Sequence, residues 1–261
     1  NCMSVARNTL VQSSLTLASR VLGMVRDILL VATIGAGPVG DAWATAQQFP
    51  NLFRRIFAEG AFASAFVPTY ARTLEAEGPE AARAVAQEAM RVLFAATAAL
   101  TILAQIFMPW VLLLIHGGQA DDPEHYNLAV LLTRVTMPYL TFMALAALLS
   151  GVLNSSERFI LSAGVPTLLN LCLIPAALIS DDPVTTAKAA SIAYFIAGVL
   201  QAGALWWGVS RQKVHLSLLG LPRLTPAVKK VMMLALPGTF AASGTQINII
   251  VSQSLASFEV G

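Results

Sequence analysis

Between Ser19 and Pro68, Arg20, Arg26, Asp27, Arg54, Arg55 and Glu59 stand inside otherwise strongly apolar sequence. A guanidinium is permanently charged, and its planar fork fits a phosphate in bidentate fashion. The arginines outnumber the two acids here and leave positive charge uncompensated. A charged side chain at the centre of a membrane helix costs about 2.5–3.5 kcal/mol on the insertion scale, so these arginines facing lipid would cost on the order of 10 kcal/mol together. They are expected to face a protein interior or a water-filled cavity, and the chemistry that suits them is reception of an anionic, phosphorylated group. The competing reading is a set of internal salt bridges. Glu59 follows Arg55 by one helical repeat and can pair with it, whereas Asp27 shares a helix face with Arg20 two turns away. No Ser/His/Asp or Cys/His set converges in these spans. Transport is therefore expected rather than an enzyme, with no cofactor and no metal.

The elements that must carry these residues are membrane helices. The chain has 261 residues, 56% hydrophobic and 11% charged, with mean hydropathy +0.70. A soluble domain carries about 25% charged residues. The net charge of +2 is too small to point to nucleic acid. Spans of about 20 apolar residues are expected at 8–34, 41–70, 92–115, 128–153, 160–179, 189–209 and 231–258. The polar stretch 71–91 is expected to form a short helix outside the hydrocarbon core. At ~1.5 Å per residue, Arg26 lies about 12 Å below the turn at 35–40 and Arg20 about 21 Å. Arg54 and Arg55 lie about 20 Å below Asp41 on the next span. Arg20, Arg54 and Arg55 are then level, on sequential helices expected to be neighbours.

Loop charges orient the chain. Arg7, Arg72, Arg83, Arg91, Arg158, Arg211, Lys213, Arg223, Lys229 and Lys230 fall on one side, and Asp121, Asp122, Glu124, Asp181, Asp182 and Lys188 on the other. The N-terminus is expected to be cytoplasmic. Gly35-Ala-Gly37-Pro38-Val39-Gly40 matches a dinucleotide fingerprint, but no βαβ unit surrounds it, and it is read as a turn between membrane helices. Asn154-Ser155-Ser156 matches a glycosylation sequon on the cytoplasmic side and is read as coincidence. Cys2 and Cys172 give no disulfide framework, and His116, His125 and His215 have no ligand spacing. Trp110, Trp206 and Trp207 fall near span ends, as an interfacial belt requires. The first apolar stretch lacks a cleavage site, and both ends read as those of a fragment.

The stretches SRVLGMVRD, GDAW and PNLFRRIFAEGAFASAFVPTYA resemble the N-terminal signature of the MurJ (MviN) family of lipid II flippases. A looser likeness continues through NSSERFI, PTLLN and LPGTFAASGTQIN. The family belongs to the multidrug/oligosaccharidyl-lipid/polysaccharide exporter superfamily, whose members set two six-helix lobes around a central cavity. The resemblance implies an all-α, polytopic bundle with about seven of an expected fourteen spans present. It implies a six-helix lobe at 1–213, a cytoplasmic linker at 214–230 and the first helix of a second lobe at 231–261. It further implies that lipid II, an undecaprenyl-pyrophosphate-linked disaccharide-pentapeptide, crosses the bacterial inner membrane by alternating access. Arg20, Arg26, Arg54, Arg55 and Ser19 would bind substrate, and Asp27, Asp41 and Glu59 would supply supporting charge or gating. The partners implied are lipid II and membrane lipids, and the whole protein is expected to be a monomer. A flippase for another polyprenyl-linked saccharide, or a drug/cation antiporter of the same superfamily, are the alternatives.

Overall fold

Proline sets where most of these helices begin. In the computed structural model, which describes residues 2–57, 61–115, 122–156 and 159–235, α2 (Pro38–Phe57), α4 (Pro79–Ile115), α5 (Pro123–Thr136), α8 (Pro166–Ala177) and α9 (Pro183–Arg211) each open on one. At a first helical position the fixed φ is already suitable and the missing N–H had no partner to lose. The other helices are α1 (Cys2–Ile34), α3 (Ala61–Glu77), α6 (Tyr139–Ser155) and α7 (Phe159–Gly164). Residues 226–235 are also helical, and among the described residues there is no strand. Asp122 caps α5, accepting from the Glu124 and His125 amides. The His125 ring lies 2.5 Å from its other oxygen. That hydrogen bond pulls the Asp122 carboxyl below the usual carboxylate range.

Among the described residues, four helical segments are long and apolar enough to cross a membrane: Pro79–Leu114, Pro123–Ser155, Phe159–Ala177 and Pro183–Arg211. The chain is a polytopic α-helical membrane protein. The span expected at 41–70 is described as α2 up to Phe57 and α3 from Ala61, and residues 58–60 lie outside the described residues. One expected boundary differs. The polar stretch 71–91 is no separate helix: it closes α3 and opens α4, which then runs unbroken into the membrane span. Gly78 makes the division, at φ +88°, and Pro79 starts the next helix. Most of the span expected at 231–258 lies outside the described residues.

Two apolar layers stack along the bundle. One joins Phe66, Met90, Leu149, Leu153, Leu205 and Val228 from α3, α4, α6, α9 and the 226–235 helix. The other joins Leu30, Trp43, Met108, Leu132, Tyr139 and Leu173 from α1, α2, α4, α5, α6 and α8. The basic loops gather at one end. Arg91 donates from Nε to the Ser217 carbonyl at 3.1 Å and from Nη2 to the Leu219 carbonyl, and it pairs with Glu88 at 2.8 Å. Arg83 reaches the His215 carbonyl at 3.4 Å, so the segment after α9 is strapped along the start of α4. The acidic loops gather at the other end, where the Tyr126 hydroxyl donates to the Pro109 carbonyl.

Internal prolines free carbonyls four residues back, and in lipid those groups need new donors. Pro50 leaves the Ala46 carbonyl without its helical donor, and the Thr136 hydroxyl of α5 donates to it at 3.1 Å. Pro138 does the same to the Arg134 carbonyl, which Gln105 Nε2 of α4 reaches at 2.7 Å. Each kink is thus stitched to a neighbouring helix. Thr136→Val and Gln105→Leu are each expected to lower stability by about 0.6–1.7 kcal/mol, the range for side-chain hydrogen bonds between membrane helices. Thermal unfolding in detergent measures it, and Thr136→Ser is expected to retain most of the stability.

Candidate functional site

The turn after α1 is built by glycine. Gly35 sits at φ +79° and its N–H closes the helix onto the Val31 carbonyl at 3.0 Å. Residues of this left-handed kind terminate helices cheaply when they lack a Cβ. Pro38 then starts α2, and Asp41 lies exposed in its first turn. The match to a dinucleotide fingerprint is a helix–turn–helix corner.

Below the corner the two helices part. α1 packs on α7, α8 and α9, whereas α2 packs on α5 and α6, and α1 and α2 touch little. The expectation that these sequential helices are close neighbours is therefore corrected. Each helix finds its larger apolar partner elsewhere, α1 through Leu30 and Ile34 and α2 through Trp43 and Ala46.

On α1, the face formed by Ser19, Gly23, Arg26 and Leu30 turns toward α8. There Asn170, buried from solvent, accepts a hydrogen bond from Arg26 Nη1 at 2.9 Å. Its amide nitrogen donates to the Ser19 carbonyl, also at 2.9 Å. Gly23 leaves room for it: a Cβ there would meet only the Asn170 amide, at 3.8 Å. Arg26 also holds Asp27, through Nε at 2.9 Å and Nη2 at 2.7 Å, both onto one carboxylate oxygen. Ser19, Arg26, Asp27 and Asn170 are thus one hydrogen-bonded group. Asp27 pairs with its neighbour Arg26 and not with Arg20, whose helix face it shares two turns away, because the adjacent guanidinium is within side-chain reach and already fixed by Asn170.

Arg20 lies on the exposed face of α1, with Leu17, Met24 and Val31. It makes no ion pair or hydrogen bond among the described residues. Arg54 and Arg55 belong to the last turn of α2 by backbone position, and Glu59 lies outside the described residues. Asn170 was not singled out from the sequence. Its signal is a lone amide in the apolar stretch PTLLNLCLIP, where a polar side chain needs a partner on another helix.

A bundle of apolar helices long enough to cross a membrane, with Arg26 fixed on α1 by Asn170 and Asp27, defines a polytopic helical membrane protein. The family model described as lipid II flippase MurJ matches residues 30–261. The chain is 40% identical over 267 residues to a probable lipid II flippase MurJ of Rhizobium tropici, covering 99% of this chain and 49% of that protein. It is 36% identical over 260 residues to the lipid II flippase MurJ of Burkholderia cenocepacia, covering 98% of this chain and 50% of that one. A solved lipid II flippase MurJ in an inward closed conformation superposes with a TM-score of 0.76 at 25% identity, over 95% of this chain and 51% of that one. The chain belongs to the lipid II flippase MurJ family. It spans about half the length of the curated relatives it matches.

Proposed function

We propose that this chain is the N-terminal part of a flippase that carries lipid II across the bacterial inner membrane, and that it is a transporter rather than an enzyme. The headgroup enters a cavity with α1 and α2 on one wall while the undecaprenyl tail stays in lipid. The observation that supports this most is the state of the two arginines of α1. Arg26 is locked by Asn170 and Asp27, while Arg20, one to two turns away, makes no ion pair or hydrogen bond among the described residues. A pyrophosphate presents enough acceptor oxygens for both, and charge-assisted bidentate contacts of this kind are the strong ones. Arg54 and Arg55 extend the positive wall onto α2, with Ser19, Asp41 and Glu59 as polar and gating positions. In this reading 1–213 is one six-helix lobe, 214–230 a cytoplasmic linker and 231–261 the start of a facing lobe. The whole protein works as a monomer and alternates between inward and outward access.

The test replaces Arg20 by alanine in the complete polypeptide and measures lipid II translocation in cells depleted of their own flippase. Arg20 faces open space, so protein levels and melting are expected to stay unchanged. Translocation is expected to fall by on the order of tenfold or more, since a hydrogen bond to a charged group is worth about 1.5–3 kcal/mol. Normal translocation at normal protein level would sink the assignment.

A further inference from the structure

A second arginine, Arg134 of α5, lies inside the Pro123–Ser155 membrane segment. It has no acidic partner among the described residues. Its Nε is buried with no hydrogen-bond partner, while the residue as a whole is only half-buried. Arg134 is not one of the residues placed on the proposed transport wall: its helix packs on α2 but not on α1, which carries the Arg26 group. A permanent charge in an apolar layer needs a counter-charge or water.

Its surroundings say where that counter-charge comes from. Gln105 of α4 binds the Arg134 carbonyl, which puts the residue at the seam between α4 and α5. Ile102 and Ile106 of α4, within about a third of a turn of Gln105, are exposed beside this seam, Phe107 and Trp110 are exposed further round α4, and α5 exposes Leu131. Phe107 and Trp110 pack ring against ring at 5.8 Å. Trp110 follows Gln105 by about 7.5 Å of helix rise, and tryptophan marks the membrane–water boundary. The bond from the Tyr126 hydroxyl to Pro109 places the N-terminus of α5 at that same boundary. Helical side chains lean toward the N-terminus of their own helix, so Arg134 leans toward Trp110 and the headgroup layer. An arginine chain is long enough to snorkel the rest of the way.

We propose that the α4–α5 seam binds a phospholipid of the leaflet on the side of the α1–α2 turn. Arg134 takes the phosphodiester, and the exposed apolar face of α4 takes the acyl chains. A phosphodiester has two anionic-side oxygens for the guanidinium fork, and a lipid is the one phosphate source already bearing the apolar body that the α4 face accepts. The site is separate from the α1 group, so it holds whether or not the proposed transport cargo is correct.

The test uses the complete polypeptide in nanodiscs of phosphatidylglycerol doped with a photoreactive phosphatidylglycerol, with crosslinked peptides mapped by mass spectrometry. Crosslinks are expected to concentrate on peptides covering residues 100–135. Arg134→Gln is expected to reduce them about fivefold, Arg134→Lys to reduce them less, and Arg20→Ala to leave them unchanged. An excess of phosphate-free galactosyl diacylglycerol is expected not to compete in the wild type, whereas unlabelled phosphatidylglycerol competes. Equal crosslinking by wild type and Arg134→Gln overturns the proposal, as does equal competition by the two lipids. The wild-type competition decides the matter if Arg134→Gln does not fold. Capture of Arg134 by a carboxylate elsewhere in the complete polypeptide leaves the seam without specific crosslinks and overturns it too.

Discussion

In the complete polypeptide, Asn170→Leu is expected to cut the proposed lipid II translocation by ~10- to 100-fold while the protein still accumulates in the membrane. The argument starts from the geometry of one amide. Asn170 accepts from Arg26 and donates to the Ser19 carbonyl, both at 2.9 Å, so it fixes the fork relative to the helix that carries it. Leucine has similar volume and suits the apolar run around it, so packing against α1 survives. What is lost is a hydrogen bond to a charged group, worth about 1.5–3 kcal/mol, and with it the orientation of the guanidinium. Misplacing a positioning group by an ångström costs on the order of a hundredfold in favourable cases. Arg26→Ala is expected to be at least as damaging. The double variant separates positioning from packing: if Asn170 acts through Arg26, then Arg26→Ala/Asn170→Leu is no worse than Arg26→Ala alone. Translocation by the double variant that falls well below Arg26→Ala would show that Asn170 has a separate role. Near-normal translocation by Asn170→Leu would remove it from the site altogether.

How much of this was legible beforehand depended on which kind of signal carried it. The charges in α1 and α2 were conspicuous because charge in apolar sequence is expensive, and the turn at Gly35 and Pro38 was legible because both residues punctuate helices. The four spans at 79–114, 123–155, 159–177 and 183–211 followed from composition and length, whereas those expected at 8–34 and 41–70 are not among them and most of 231–258 lies outside the described residues. The junction at Gly78-Pro79 was the same kind of signal, overridden by the polar, alanine-rich sequence around it. Partner choice between helices was not legible. Loop length makes α1 and α2 sequential, but their apolar contacts decide that α1 rests on α8 and α2 on α5. The partner of Asp27 was not legible for a related reason: helical periodicity compares positions along one face, while the side chain of Arg26 bends to its neighbour once Asn170 has fixed it.

Asn170 and Arg134 were both written in the chain as polar residues in apolar spans, the same signal that drew attention to α1. Asn170 is uncharged and costs less to bury, and Arg134 stands alone rather than in a run. The stitching of the proline kinks has a simpler rule that sequence does support. A proline at one position frees the carbonyl four before it, so Pro50 names Ala46 and Pro138 names Arg134. Which donor arrives, Thr136 or Gln105, is set by the packing of three helices.

The corner that separates the two charged helices should tolerate change at one glycine and not at another. A Cβ on Gly40 would lie 2.3 Å from the Gly35 carbonyl oxygen and 3.3 Å from its carbon, both backbone atoms of the corner. A flexible side chain could swing away from such an overlap, but this oxygen belongs to the residue at φ +79° that ends α1. Relief requires α2 to shift as a body or the α1 terminus to unwind. Gly37, in the same turn, is different: a Cβ there meets nothing within 4 Å, and its φ is not in the left-handed region. Gly40→Ala is therefore expected to destabilise by about 1–3 kcal/mol, the usual cost of overpacking, whereas Gly37→Ala stays within about 0.5 kcal/mol of wild type. Thermal unfolding of the complete polypeptide in detergent measures both. The damage should also reach function, because the corner sets how far α1 and α2 diverge and so the separation of Arg20 from the arginines of α2. If the complete polypeptide translocates lipid II as proposed, Gly40→Ala protein that does reach the membrane is expected to do so poorly, and Gly37→Ala normally. Equal stability of the two variants would mean that the corner is not the rigid spacer described.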